Sequence, residues 1–219
     1  MDRIIKLIVK YYPTFLQDLW GTIWLSIVTV FFGTLLGMFV ALLRMGKLKV
    51  LRSVAIAYIE ILRGTPVLLQ LYFFWVGLPR LLPFEVSDTT CILVAMIINA
   101  SAYISEIIRA GIGAVDIGQW EAARSIGLSE KHVMTKVILP QAVKNILPAL
   151  CNEFISTIKG TSLASVFFVN ELMTGYKTVS SITFLPLQSL TIAGVIYFVI
   201  CFTLSKLLAV FERRLMVSD

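Results

Sequence analysis

Two stretches of this chain are nearly free of charge over the length of a membrane-spanning helix. They cover Trp20–Leu43 and Leu185–Ser205. A helix needs about 20 mainly apolar residues to cross the ~30 Å hydrocarbon layer of a bilayer. The remaining composition agrees, because 58% of the residues are hydrophobic and only 15% are charged, against about 45–50% and about 25% in soluble chains. The chain is therefore predicted to be an integral membrane protein.

The charged loops divide the apolar sequence into about five helical spans. The fourth is the least apolar, and no stretch remains for a separate soluble catalytic domain, so residues 1–219 are interpreted as one transmembrane domain. We interpret Met1–Pro13 as an amphipathic interfacial segment, because its lysines, tyrosines and proline interrupt the apolar core of a cleaved signal. The predicted spans are Trp20–Leu43, Val54–Val76, Thr90–Ile108, Leu150–Leu172 and Leu187–Val210.

Lysine and arginine are distributed unequally between the two sides of these spans. Counting the loops and helix ends gives twelve on one side and five on the other. Positively charged loops face the cytoplasm. This asymmetry predicts an N-terminus outside and a C-terminus inside, and it explains the net charge of +6 without a nucleic-acid partner.

Few residues of the types used in metal or redox sites are present. The three cysteines, Cys91, Cys151 and Cys201, are widely separated and form no metal-binding spacing, and His132 is the only histidine. We interpret the cysteines as small buried apolar residues. No metal site is predicted.

Within the spans, three local patterns are informative. Gly33 and Gly37 form a GxxxG sequence, which favours close helix packing either inside the bundle or in a dimer. Carboxylate and guanidinium groups three residues apart can pair across one helix face, structurally or as ligand contacts. These candidates are Glu60 with Arg63 and Glu106 with Arg109. The Gly64-Thr65-Pro66 sequence should kink the second span.

The longest connection, about residues 110–147, is predicted to hold two short helices. One should include Gln119–Ser125 and end near Gly127; the second should begin at Ser129 and end at Pro140. Together they would form a compact projection on the cytoplasmic side. The small Ala122 and Ala123 suit a close contact with a soluble partner.

Five short motifs occur in order over almost the whole chain. They are Tyr58–Glu60 with Arg63–Pro66, Ala102–Tyr103 with Glu106 and Arg109–Gly111, Gly118–Ala123 with Gly127, Leu139–Ala142 and Asn152–Ile155. These motifs resemble the permease subunits of binding-protein-dependent ABC importers, specifically the polar amino acid branch that serves histidine, glutamine or arginine. The loop resembles their EAA loop, with Val137 where isoleucine is usual.

The resemblance implies a type I importer permease of five helices in a bacterial inner membrane. It also implies two identical or similar permease copies, an external solute-binding protein, and a cytoplasmic ATPase dimer that receives the coupling loop, about residues 115–145. The coupling residues would be Glu121, Ala122, Ala123 and Gly127. The sequence has no GxxxxGK[ST] phosphate-binding loop, so this subunit is expected to need no cofactor and to be no enzyme. ATP and Mg²⁺ would be bound by the ATPase.

Polar residues at membrane depth are candidates for substrate contacts. The resemblance suggests an amino acid site midway across, where Glu153 would accept the ammonium group and Asn99 and Ser101 would serve the carboxylate. Asn99 and Ser101 are about 200° apart on a regular helix, however, so both face one cavity only if the helix is distorted. Interhelical hydrogen bonds are the alternative for all three.

The substrate side chain is suggested by one departure from the family pattern. Many relatives have an acidic residue at the position of Gly160, seven residues after Glu153 and nearly on the same helix face. Its absence argues against arginine or lysine and favours glutamine or another uncharged polar amino acid.

Two other functions agree less well with the sequence. An intramembrane hydrolase would need a nucleophile beside a base, and His132 lies in the loop, away from every serine of the spans. A secondary transporter of small polar solutes usually contains internal repeats with interrupted helices. We find no repeat, and the importer permease is therefore favoured.

Overall fold

The computed structural model describes residues 2–216, which are almost entirely helical. Met1 and residues 217–219, the two ends of the chain, lie outside the described residues. The helices are α1 (Asp2–Met45), α2 (Lys49–Gly64), α3 (Val67–Leu81), α4 (Asp88–Gly113), α5 (Ile117–Ser125), α6 (Glu130–His132), α7 (Leu139–Gly160), α8 (Leu172–Thr183) and α9 (Pro186–Met216); a π-helix (Val133–Ile138) precedes α7 and a 3₁₀ helix (Thr161–Phe167) follows it.

Helix α1 is longer than the first predicted span, because it also includes the segment before Trp20. Pro13 lies inside it without ending it. Leu7 and Phe15 are buried in an apolar cluster with Leu172 and Val179 of α8. The N-terminal segment is thus continuous with the first span in α1 and packs on the bundle; its position at the membrane interface stays a prediction.

Helices α1 and α4 form the most extensive contact between elements of residues 2–216. A Cβ atom at Gly33 would lie 3.1 Å from the Cβ of Ala100, and one at Gly37 would lie 2.9 Å from the carbonyl oxygen of Ser101. These glycines let the two backbones approach closely. The GxxxG sequence therefore serves packing inside the chain.

The second predicted span is two helices, α2 and α3. The chain direction changes by 109° between them. Thr65 is extended, with φ −118° and ψ 149°, as expected for a residue that precedes proline. Pro66 has no N–H to continue the α2 hydrogen bonds. The predicted kink is confirmed, but the continuous Val54–Val76 helix was wrong because the Thr65-Pro66 pair separates it.

The number of spans, predicted as five, stays a prediction. Within residues 2–216, three single helices are long and apolar enough to cross a membrane, and the bent α2–α3 pair passes the same test as one broken or re-entrant span. The predicted fourth span, Leu150–Leu172, is not one continuous helix. Helix α7 ends at Gly160 and the 3₁₀ helix continues to Phe167, after which Phe168 is left-handed with φ 57°.

We call the end of the bundle that carries the α4–α7 connection the loop end, and the opposite end the far end. At the far end, buried polar groups join α1, α8 and α9. Tyr197 Oη donates to Glu171 Oε2 at 2.7 Å, and the Leu172 N–H donates to Thr22 Oγ1 at 3.1 Å. These bonds satisfy polar groups that would be costly in an apolar interior.

Candidate functional site

A cavity of about 290 Å³ lies between α1, α3, α4 and α7 and extends to the 3₁₀ helix. Its walls combine apolar with polar side chains, as small-molecule sites do. The lining residues are Thr29, Val67, Met96, Asn99, Ala100, Tyr103, Glu153, Ser156, Thr157, Gly160 and Leu163.

Two of the predicted substrate contacts, Asn99 and Glu153, both line this cavity. Asn99 lies on α4 and Glu153 on α7, and these two helices pack against each other. Gly111 near the end of α4 packs against Ile146 near the start of α7, so the helices are antiparallel. Their middle parts therefore meet, and residues 54 positions apart in the sequence share one cavity.

The third predicted contact, Ser101, does not reach the cavity. Its side chain is fully buried, donates to the Ile98 carbonyl oxygen at 2.7 Å and shares a 2.7 Å hydrogen bond with Tyr58 Oη. Helix α4 is not distorted at this position, so Ser101 points about 200° away from Asn99. The structure thus shows Ser101 in an interhelical hydrogen bond to α2.

Glu153 has no hydrogen bond or ion pair with any residue in the described range 2–216, and Lys159 does not pair with it. A carboxylate among apolar helices is costly unless something compensates its charge or water reaches it. Because Glu153 borders the cavity, a cationic group there would supply that compensation.

Sequence reasoning missed several polar residues at this site. Tyr103, Ser156 and Thr157 line the cavity, and Thr29 and Gln70 differ from them in their hydrogen bonding. Thr29 lines the cavity and is 1% exposed, yet its hydroxyl has no hydrogen-bond partner within residues 2–216. Gln70, buried on α3, accepts a hydrogen bond from Asn99 Nδ2 at 2.9 Å. Gln70 could have been found as the single polar residue of the apolar run of residues 67–76, whereas Thr29 is one of several hydroxyl residues in its span and carries no such signal.

Gly160 also borders the cavity, and a Cβ atom built there meets nothing within 4 Å. Its backbone is right-handed helical, with φ −64° and ψ −30°. A side chain would therefore fit at this position. The missing side chain leaves Glu153 as the one carboxylate among the residues that line the cavity.

At the loop end, Glu106 is the centre of a cluster of charged side chains. It pairs with Arg44 of α1, with Arg63 of α2 at 3.7 Å and with Arg109 at 3.0 Å. The Glu106–Arg109 pair confirms the prediction. The predicted Glu60–Arg63 pair was wrong, because Arg63 turns to α4, where it also lies 5.5 Å from the ring centre of Tyr103.

The α4–α7 loop buries its own small apolar core. Ala123 is 5% exposed and packs with Val133 and Ile138, whereas Glu121 and Ala122 are exposed. The expectation that Ala123 offers its surface to a partner is therefore corrected: α5 turns this residue inward, and its small size permits packing inside the loop.

The connection between α5 and α6 needs glycine, because Gly127 has φ +82°, a conformation that costs other residues free energy. The predicted end of the second helix at Pro140 was wrong. Pro140 lies in the first turn of α7, where its missing N–H is tolerated, and the π-helix leads directly into α7.

An exposed ion pair joins the two sides of this turn. Arg124 Nε and Nη2 donate to Glu130 at 2.8 and 3.0 Å. These hydrogen bonds lower the pKa of Glu130 below its usual value. Any stability that this pair adds is present above the usual carboxyl pKa and is lost as the pH falls through the lowered one.

A helical bundle with apolar outer surfaces, a cavity of mixed polarity and a structured loop at one end is consistent with a membrane transport component. Residues 33–217 match the family model described as "Binding-protein-dependent transport system inner membrane component", and the chain belongs to this family. Membership confirms the predicted permease function over the secondary transporter and makes the chain a transport component rather than an enzyme.

Comparison with individual relatives supports this assignment. The chain is similar to the arginine transport system permease protein ArtQ of Bacillus subtilis (strain 168), with 36% identity over 207 residues that cover 94% of each chain. It is 40% identical over 215 residues to the L-cystine transport system permease protein TcyB of the same organism, covering 94% of this chain and 88% of TcyB. A solved structure described as an amino acid ABC transporter with histidines has 45% identity and a TM-score of 0.91, and the match covers 94% of this chain and 96% of that one. This likeness confirms the predicted permease fold.

Proposed function

We propose that this chain forms the membrane pathway of an ABC importer for a polar amino acid, and that the substrate occupies the cavity beside Asn99 and Glu153. The observation that carries the proposal is the meeting of these two residues around a volume of about 290 Å³. That volume is at the lower end of the ~300–1,000 Å³ typical of small-molecule sites and suits one amino acid.

The polar groups of the cavity match those of a zwitterion. The unpaired Glu153 carboxylate accepts the ammonium group, and the unpartnered Thr29 hydroxyl is available to donate to the carboxylate. Val67, Met96 and Leu163 supply apolar surface. ArtQ and TcyB are named for arginine and L-cystine transport, which supports an amino acid as substrate.

Within the amino acids, we propose an uncharged polar side chain such as that of glutamine. Charged side chains require an opposite charge when they leave water. Glu153 is already used by the ammonium group, and Gly160 contributes no second carboxylate.

The Gly160→Asp variant tests this choice. The added carboxylate has space and should improve uptake of L-arginine relative to L-glutamine by about tenfold or more, as expected for a charge-assisted hydrogen bond. Gly160→Asn is the matched control, of the same shape without the charge. An unchanged selectivity ratio, or the same shift in both variants, would contradict the proposed role of this position.

The partners follow from the family. We propose a cytoplasmic ATPase dimer bound at the loop of residues 114–138, a second copy of this chain, and an external solute-binding protein. ATP and Mg²⁺ would be held by the ATPase, and closure of the ATPase dimer would move the two loops together and open the bundle to the outside. Exposed Glu121 and Ala122 support the docking role of α5, with Ala123 and Gly127 shaping the loop from within.

We further propose that the loop end faces the cytoplasm and the N-terminus the exterior, since Arg44, Arg63 and Arg109 gather at the loop end. In a cysteine-free background, single cysteines at Ser129 and Ser87 report the two sides. A membrane-impermeant thiol reagent added to intact cells should label position 87 and not position 129. The reverse pattern, or labelling of both, would contradict the orientation.

A further inference from the structure

The side chain of Gln70 holds the bend between α2 and α3. Its Nε2 donates to the Leu62 carbonyl oxygen at 2.7 Å, to the Thr65 carbonyl oxygen at 3.2 Å and to Thr65 Oγ1 at 2.8 Å. The backbone acceptors at the end of α2 have lost their helical partners at the Pro66 break. Gln70, from the first turn of α3, replaces those partners.

This arrangement fixes which end of the Gln70 amide faces each neighbour. The Thr65 hydroxyl donates its one proton to the Ile61 carbonyl oxygen at 2.7 Å, so all three neighbours of Nε2 are acceptors. A flipped amide would place Oε1 against three oxygens with no hydrogen between them, which is strongly unfavourable. Gln70 must therefore present Oε1, an acceptor, toward α4.

The fixed orientation of Gln70 determines that of Asn99. Only the Asn99 nitrogen can donate to Gln70 Oε1, and Nδ2 does so at 2.9 Å. Asn99 Oδ1 has no protein donor within residues 2–216, and the side chain lines the cavity. An amide oxygen accepts hydrogen bonds and cannot donate them.

We infer that Gln70 is a positioning residue which orients the Asn99 amide so that its oxygen, together with the Glu153 carboxylate, receives the substrate ammonium group. This inference rests on the proposed function and changes one part of the prediction, since Asn99 was expected to serve the substrate carboxylate. It also gives the bend a role: the Thr65-Pro66 break exposes the acceptors that fix Gln70. The break between α2 and α3 is thereby connected to the substrate site.

A double-mutant cycle tests the inference. The dissociation constant Kd of radiolabelled substrate is measured on the purified permease–ATPase complex without binding protein, using the best transported of L-glutamine, L-arginine and L-cystine. Gln70→Leu, Asn99→Leu and the double variant are compared with the unchanged complex, and the melting temperature of each is recorded. If Gln70 acts through Asn99, its effect on Kd disappears once Asn99 is replaced.

The expected result is a Kd raised about tenfold by Asn99→Leu, raised about threefold or more by Gln70→Leu, and no higher in the double variant than in Asn99→Leu alone. A Gln70→Leu variant with unchanged Kd and a lower melting temperature would reduce Gln70 to a structural residue and overturn the inference. The inference would also be overturned if the rise in Kd of the double variant equalled the product of the rises in the two single variants. An unchanged Kd in Asn99→Leu would instead remove Asn99 from the substrate site, and with it the proposed site itself.

Gln70→Met keeps the test decisive if Gln70→Leu fails to assemble. Methionine has nearly the length of glutamine but has no amide oxygen to accept from Asn99. Kd should rise about threefold or more, as in Gln70→Leu, and adding Asn99→Leu should raise it no further than Asn99→Leu alone. An unchanged Kd in Gln70→Met would contradict the inference.

Discussion

The loop between α4 and α7 and the cavity are arranged in opposite ways. In the loop, exposed polar side chains surround a small apolar core that contains Ala123 and Ile138. In the cavity, polar side chains such as Asn99 and Glu153 point inward, and apolar residues cover the outside of the surrounding helices. A substitution inside the loop should therefore affect folding, whereas one inside the cavity should affect the substrate.

The largest effect is expected from Ala123→Lys. The charge would enter the loop's apolar core, at a cost of several kcal/mol, and the wider side chain would separate α5 from the π-helix. We expect lower yield and a lower melting temperature of the purified permease, together with weaker association with the ATPase.

Ala122→Lys is the matched control, because Ala122 is the exposed neighbour on the same helix. It should leave the melting temperature of the permease unchanged and reduce only ATPase association or the coupling of hydrolysis to uptake. Equal loss of stability in the two variants would mean that burial does not distinguish these alanines.

A smaller but specific effect is expected from Glu153→Gln. The substitution keeps the size and removes the charge that receives the substrate ammonium, so substrate binding should weaken by about 1.5–3 kcal/mol. Uptake should fall, while the complex still assembles and hydrolyses ATP at its basal rate. Glu60→Gln serves as control, since Glu60 is an exposed carboxylate outside the cavity. Lost thermal stability with unchanged substrate affinity would show a structural role for Glu153.

Gly127→Ala should have the smallest effect, because only the backbone of the loop is altered. The left-handed conformation at φ +82° costs alanine about 1–2 kcal/mol, so the melting temperature should fall slightly. Gly113→Ala serves as the control. A Cβ atom built at this position, at the end of α4, meets nothing within 4 Å, so this variant should be neutral or stabilising. If the two variants have equal stability, the turn adjusts without cost.

The same contrast explains what the sequence could predict. The loop motif is local: Glu121, Ala122, Ala123 and Gly127 lie within seven positions, and the need for glycine at 127 was foreseen. The inward direction of Ala123 depends on Val133 and Ile138, which pack on it only after the chain has turned. Sequence spacing along α5 alone does not contain that information.

The cavity depends on contacts between distant helices. Asn99 and Glu153 could be proposed because polar groups are unusual in apolar spans, and the helical angle between Asn99 and Ser101 correctly indicated that they point in different directions. Gln70 was missed because the backbone acceptors that hold it are exposed only by the Thr65-Pro66 break, and because its contact with Asn99 forms between two different helices. The sequence predicted a kink there, but the 109° angle is set by how α2 and α3 pack on α4.

The central claim is that one amino acid lies in the cavity between α4 and α7. The most direct measurement is a structure of the permease–ATPase complex, determined by electron cryo-microscopy with a saturating concentration of the best transported amino acid. We expect density for one molecule per chain, with its ammonium group within hydrogen-bonding distance of Glu153 and Asn99 Oδ1. An empty cavity in a complex that binds the amino acid elsewhere would contradict the account.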